Sequence, residues 1–215
     1  MRTFLLTGLV VSLALPLAAC GDDTDPVAEP TTTAAPRVLS GYQTDPPLDV
    51  SGLALPEASN GGEQFELVAQ PGKLLVVYFG YTHCPDVCPT TLYDLKKALE
   101  QMGDQAALVD VSMGTIDPER DTDEVMTGYL RSFVPAGHAL RTTDQDLLKS
   151  VTGAFGASYS VTPAADGGEP EVGHSPFVYI VDENAHVVLT WPFGLPSDAM
   201  AIDLEILLES IGAEA

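Results

Sequence analysis

The chemistry this sequence offers centres on two cysteines four positions apart, in Cys84-Pro85-Asp86-Val87-Cys88. Such a pair can close a disulfide, or both sulfurs can turn onto one soft metal ion. Either use makes the segment a redox or metal site. A purely structural disulfide is the weaker alternative, because closing so small a loop restricts the unfolded chain little.

A metal would need a further ligand, and the chain has four histidines. His174, in Gly173-His174-Ser175-Pro176, is the strongest candidate because it stands just before an apolar strand-like run. With two thiolates it would give a soft set suited to Cu(I), open enough to hold Cu(II) with an added ligand, and chemically compatible with zinc. His83 adjoins Cys84, but neighbouring side chains often diverge, so it reads as a hydrogen-bonding loop residue. His138 and His186 read as exposed. Met102, Met113, Met126 and Met200 fall on core-like faces rather than in a cluster, which argues against a methionine-rich copper site.

The elements around these residues are legible. Leu74-Leu75-Val76-Val77-Tyr78-Phe79 is a buried-type strand, and Leu92, Leu95, Leu99 and Met102 recur at helical spacing after Pro89. A residue preceding proline is pushed away from helical angles, so the helix is expected to start at about Pro89. Cys88 would then sit at the positive end of the helix dipole, which lowers a thiol pKa, with Asp86 opposing the effect. A strand over Ala107 to Met113, helices near Asp123 to Phe133 and Asp144 to Phe155, a hairpin of Pro176–Val181 with His186–Trp191, and a helix near Ser197 to Ile211 complete the pattern. Strand, helix, strand, helix, hairpin, helix is a thioredoxin-like order: an α/β fold with a central mixed sheet flanked by helices, a C-terminal β-hairpin and a closing helix. In such a sheet the loop entering the hairpin, where His174 lies, faces the cysteine loop.

At the other end, Arg2 precedes an apolar stretch from Phe4 to Leu17, and Leu17-Ala18-Ala19-Cys20 follows. Residues 1–19 read as a bacterial lipoprotein signal peptide and Cys20 as the lipidated residue, with an uncleaved anchor as the alternative. Either places the domain on the extracytoplasmic face of a membrane. Residues 20–45, rich in Asp, Thr, Pro, Ala and Glu, read as a flexible tether reaching about 25 to 30 Å on average. Residues 46–215 form the domain. With Cys20 committed to lipid, Cys84 and Cys88 are the only thiols left among the three cysteines. The formal net charge of −22, deepened by one when Arg2 is removed, excludes nucleic-acid binding and fits a solvated acidic surface.

The blocks Phe79-Gly80-Tyr81-Thr82-His83-Cys84-Pro85-Asp86-Val87-Cys88-Pro89, Asp117-Pro118-Glu119-Arg120-Asp121-Thr122 and His174-Ser175 resemble those of the Sco/SenC proteins, over roughly residues 50 to 210. These are copper-binding, thioredoxin-like assembly factors for cytochrome c oxidase. The three-residue spacer between the cysteines distinguishes them from ordinary thioredoxins, which have two. The resemblance implies copper ligands at Cys84, Cys88 and His174, and gives Asp117 a supporting position, although Asp117-Pro118 can equally end a strand and Asp121-Thr122 cap a helix. The chain departs from the family in the acidic, Gly-rich Ala165–Glu171 before Gly173, where an aspartate often precedes the histidine.

The resemblance also implies copper delivery, as Cu(I) or Cu(II), to the binuclear copper centre of cytochrome c oxidase subunit II, with other copper chaperones and thiol-disulfide reductases as further partners. The alternative is an enzyme, a thiol-disulfide oxidoreductase that uses the Cys84/Cys88 pair to keep the acceptor's cysteines reduced. The two part at His174, which only copper transfer requires. A thiol peroxidase on the same fold is disfavoured because basic residues are scarce near Cys84.

Overall fold

The computed structural model describes residues 37–212. The expected signal peptide, Cys20 and most of the expected tether lie outside the described residues.

The apolar run after Lys73 becomes β4 (Leu74–Gly80), buried at all seven positions. A strand covered on both faces has to be apolar throughout and hydrogen-bonded on both edges. On one edge β5 (Val109–Thr115) runs parallel, in register from Leu74 opposite Val109 to Gly80 opposite Thr115. On the other, β9 (Val178–Val181) runs antiparallel, with Val76 opposite Ile180. The sheet extends through β10 (His186–Trp191) to β1 (Leu48–Asp49), and through β6 (His138–Leu140) to β2 (Ala54–Glu57) and β3 (Glu63–Glu66). Its order is β1-β10-β9-β4-β5-β6-β2-β3.

Parallel neighbours need crossover connections, and helices supply them. The helix α1 (Val87–Met102) joins β4 to β5, and α2 (Asp123–Phe133) joins β5 to β6. After β6 comes α3 (Gln145–Ala154), and α4 (Ser197–Ser210) closes the chain against α1. Thr122 caps α2 by accepting from Val125 N, and Asp144 caps α3 by accepting from Asp146 N and Leu147 N. Met102, Met113, Met126 and Met200 are all buried core residues. The expected mixed α/β sheet, the β9–β10 hairpin and the closing helix are all present.

Chain packing begins upstream of residue 46. Asp203 of α4, fully buried, accepts from Ser40 N at 2.7 Å, Gly41 N at 3.0 Å and Trp191 Nε1 at 2.9 Å. Those three donors compensate the desolvation of its carboxylate. Gly41 has no room for a side chain, since a Cβ would meet Leu189 Cγ and Trp191 Cδ1 at 2.8 Å.

Several local expectations need correction. The helix α1 starts at Val87, two residues before Pro89. The first-turn amides of a helix have no intrahelical acceptor, so Pro89 within that turn costs no hydrogen bond. His174 is not in a loop but ends a strand: β7 (Tyr159–Thr162) and β8 (Glu171–His174) form a separate two-stranded sheet with Tyr159 opposite His174. His138 is not simply exposed, because its Nδ1 lies 2.9 Å from Glu57 Oε1 and its ring packs on Phe65 at 4.4 Å. Among the described residues, no helix is long and apolar enough to cross a membrane.

Candidate metal centre

Cys84 lies in the turn from β4 into α1 and Cys88 in the first turn of α1, and both are free thiols. Cys84 is 9% exposed and Cys88 0%. The Cys88 backbone N–H donates to Cys84 Sγ at 3.2 Å, so the sulfur that accepts from an orphan amide of the helix terminus is that of Cys84. The helix dipole, opposed by Asp86, was expected to lower the Cys88 pKa, and the structure gives the opposite direction. Burial instead pushes the Cys88 thiol up to about 12, because the charged form loses its hydration. Gly80 makes room for that sulfur: a Cβ there would meet Cys88 Sγ and Tyr78 Cε1 at 2.9 Å and Met113 Cε at 3.1 Å.

His174 completes the group from β8. Its Nε2 lies 3.5 Å from Cys88 Sγ, and its Nδ1 lies 3.0 Å from the carbonyl oxygen of Ser175. A carbonyl can only accept, so Nδ1 carries the proton and the Nε2 lone pair faces the sulfurs. Burial lowers the imidazole pKa, against a smaller upward pull from Ser175, and favours this neutral form. Tyr78 and Tyr81 present their rings edge-on to His174, at centroid separations of 6.3 and 5.9 Å. The Tyr78 hydroxyl is buried without a hydrogen-bond partner among the described residues, and burial followed by the nearby Cys88 sulfur pushes its pKa up.

The ligand atoms of Cys84, Cys88 and His174 all lie within 4.8 Å of one another. Two donors bound to one ion at about 2.0 to 2.3 Å each sit roughly 3.5 to 4 Å apart at tetrahedral to trigonal angles. The 3.5 Å between Cys88 Sγ and His174 Nε2 already meets that spacing. Two buried sulfurs and one half-buried imidazole fit a soft ion.

Asp117 stays outside this group. It is 2% exposed and its Oδ2 accepts from Arg120 Nε at 2.5 Å. His83 is likewise apart, its Nδ1 3.2 Å from Thr82 Oγ1 and 3.4 Å from Asp121 Oδ1. His186 sits 3.9 Å from Asp182. Sequence reasoning missed Gly80, Tyr78, Tyr81, Arg120 and the site role of Asp121. Their only signal was membership of the cysteine and Asp117–Thr122 blocks, or, for Tyr78, a place just before the first of them.

A thioredoxin-like domain with a Cys-Cys-His cluster at its strand-to-helix turn defines a class of soft-metal and dithiol proteins. The SCO1/SenC family model matches residues 58–209, and the chain belongs to that family. It is 33% identical over 138 residues to a SCO2-like protein of Rickettsia typhi, covering 59% of this chain and 68% of that protein. A SCO2-like protein of Rickettsia prowazekii is 35% identical over 124 residues, covering 57% of this chain and 60% of that protein. Among solved structures, copper-bound ScoI of Bradyrhizobium japonicum superposes with a TM-score of 0.61 at 30% identity, over 72% of this chain and 96% of that one. Apo Sco1 of Thermus thermophilus gives a TM-score of 0.69 at 29% identity, over 80% and 98%.

Proposed function

We propose that this chain is a copper carrier that takes up copper on Cys84, Cys88 and His174 and passes it to cytochrome c oxidase subunit II at its binuclear copper centre. The observation that carries the reading is the convergence of two sulfurs and one neutral imidazole within 4.8 Å. The copper held by the similar ScoI supports the choice of ion. Membership of the Sco family supports the choice of acceptor.

Uptake of Cu(I) displaces the thiol protons and leaves the thiolates and His174 Nε2 as soft ligands. An acceptor with matching ligands would take over one bond at a time. Cys84, the more exposed sulfur and the one at the helix terminus, is the first to meet the ion and the natural point of exchange. Copper stoichiometry on the purified domain tests the reading: one ion per chain with the pair reduced and none with it oxidised. Equal binding in both states would overturn it.

The dithiol reading keeps one observation in its favour, the adjacent free thiols with Cys84 receiving the helix amide. Deleting the protein separates the two, since added copper restores oxidase activity if delivery is the task and only added reductant does so if thiol reduction is. We further propose that Cys20 is lipidated and holds the domain at the extracytoplasmic face of a bacterial membrane, on the signal-peptide pattern around it. Cys20→Ser should then release the protein from membranes with its melting temperature unchanged. Retention on the membrane would make the apolar stretch itself the anchor.

A further inference from the structure

The two ligand-bearing segments are gripped by one loop that contributes no ligand. It runs from the end of β5 to the start of α2, and its own turn is closed by Arg120 N and Asp121 N, both donating to Asp117 O. On the cysteine side, Asp121 is fully buried. Its Oδ2 accepts from Thr82 N at 3.1 Å and Thr115 Oγ1 at 2.6 Å, and its Oδ1 accepts from Thr82 Oγ1 at 2.5 Å. His83 Nδ1 stands 3.4 Å from the same Oδ1. Thr82 and His83 are the two residues immediately before Cys84, so this carboxylate fixes the point from which the cysteine turn departs. A dry carboxylate is very unfavourable unless its lone pairs are filled, and here they are filled mainly by the cysteine segment.

On the histidine side the neighbouring residue does the reaching. Arg120 pairs with Asp117, and also with Glu169, which lies two residues before β8. Its guanidinium also lies over the Tyr81 ring at 6.0 Å, and the Tyr81 ring meets His174 edge-on. Adjacent residues of one loop thus hold the segment that leads to Cys84 and the segment that leads to His174.

We propose that Asp121 and Arg120 are positioning residues for copper capture, together setting the gap between the sulfur pair and the imidazole. This rests on the copper-carrier reading. Pinned by Asp121, the cysteine turn cannot recede from β5. Strapped by Arg120, the approach to β8 is biased toward the closed position of the imidazole, and the exposed Glu169 end of the strap leaves it free to open. A role in general stability alone would leave the two residues independent of the ligands. Positioning makes each act through one side of the site.

The test is a double-mutant cycle on the full domain, with Cu(I) affinity measured by competition against a chromophoric chelator. Arg120→Gln should weaken binding about tenfold in wild type and have no further effect when His174→Ala is already present. Asp121→Asn should weaken binding about 10- to 100-fold in both backgrounds, as loss of a ligand's supporting partner does. Should Asp121→Asn unfold the domain, Thr82→Val removes one of its partners and leaves the carboxylate in place. It should give a smaller loss in the same direction.

Two readouts need no metal, and so separate failure of this inference from failure of the carrier reading. Asp121→Asn should change the alkylation rate of Cys84 by iodoacetamide several-fold. Arg120→Gln should speed amide exchange at Glu171–His174 several-fold while leaving β4 unchanged. Equal Arg120→Gln losses with and without His174, or unchanged alkylation and exchange, would overturn the assignment. If wild type binds no copper while both metal-free effects appear, the carrier reading falls and the positioning of the two segments stands.

Discussion

The sulfur side and the imidazole side of the site are built from different kinds of structure. Cys84 and Cys88 follow β4, which is buried at every position and hydrogen-bonded along both edges within an eight-stranded sheet. His174 ends β8, one half of an isolated two-stranded sheet whose residues are exposed or half-buried. Two strands alone are marginal in water, and segments with few buried apolar contacts open at lower cost than core strands. The thiols are therefore held as part of the core, and the imidazole is presented on a flap. The proposed carrier role would be served by that division, since a carrier's site must close on its cargo and also let it go.

The comparison breaks first at the sulfurs. Cys88→Ser keeps a small polar side chain in the same buried place but replaces a soft ligand with a hard one. Cu(I) affinity should fall by more than the roughly 10- to 100-fold that a supporting residue costs, with the melting temperature close to wild type. A competition titration beside a melt decides it. An affinity within a few-fold of wild type would remove Cys88 from the ligand set.

On the imidazole side the expected effect is smaller. His174→Ala should weaken copper binding by roughly 10- to 100-fold, while Cys84 and Cys88 still cycle between dithiol and disulfide, because disulfide chemistry needs only the sulfurs. If the variant binds as tightly as wild type, His174 is not a ligand.

The two sides also answer to pH differently. The Cys88 thiol, raised by burial to about 12, is protonated throughout the neutral range, so copper must displace its proton. From this thiol alone, affinity should rise about tenfold per pH unit up to that value. His174 is pushed below its ordinary 6.5, so it is neutral above that pH and adds no slope there. An affinity that stays flat between pH 6.5 and 8.5 would show that Cys88 does not give up its proton to the metal.

How much of this was legible in the sequence follows the same division. The β4 run, the helix after it and the cysteine pair announce themselves, because a strand buried on both faces and an amphipathic helix impose unmistakable periodicities. Elements of two to four residues, such as β1, β2, β3, β6, β7 and β8, are too short to impose one. That is why His174 was expected in a loop, although it ends β8. Asp121 was legible only as a helix cap, and its place among Thr82, Thr115 and His83 depends on a contact across 39 residues that local pattern does not carry. The direction of the Cys88 shift was out of reach for a related reason: the helix dipole can be read locally, whereas the burial that raises this thiol is a property of the finished core.

The smallest expected effect is the sharpest check on the flap. Ser175 ties the base of the hairpin: its N–H donates to Ser158 O at 2.8 Å, and its Oγ accepts from Ser158 N at 2.9 Å. Its carbonyl holds the His174 tautomer. Ser175→Ala removes the hydroxyl contacts and keeps the backbone ones, so the tautomer survives while the hairpin loosens. A hydrogen bond of this kind is worth about 1 kcal/mol net, or roughly a factor of five in an equilibrium constant. Amide exchange in β7 and β8 should quicken by about that factor, copper affinity should fall by no more than that, and exchange in β4 should not change. Equal acceleration in β4 would mean that the hairpin and the central sheet open together, and the division between a fixed sulfur side and a movable imidazole would be wrong.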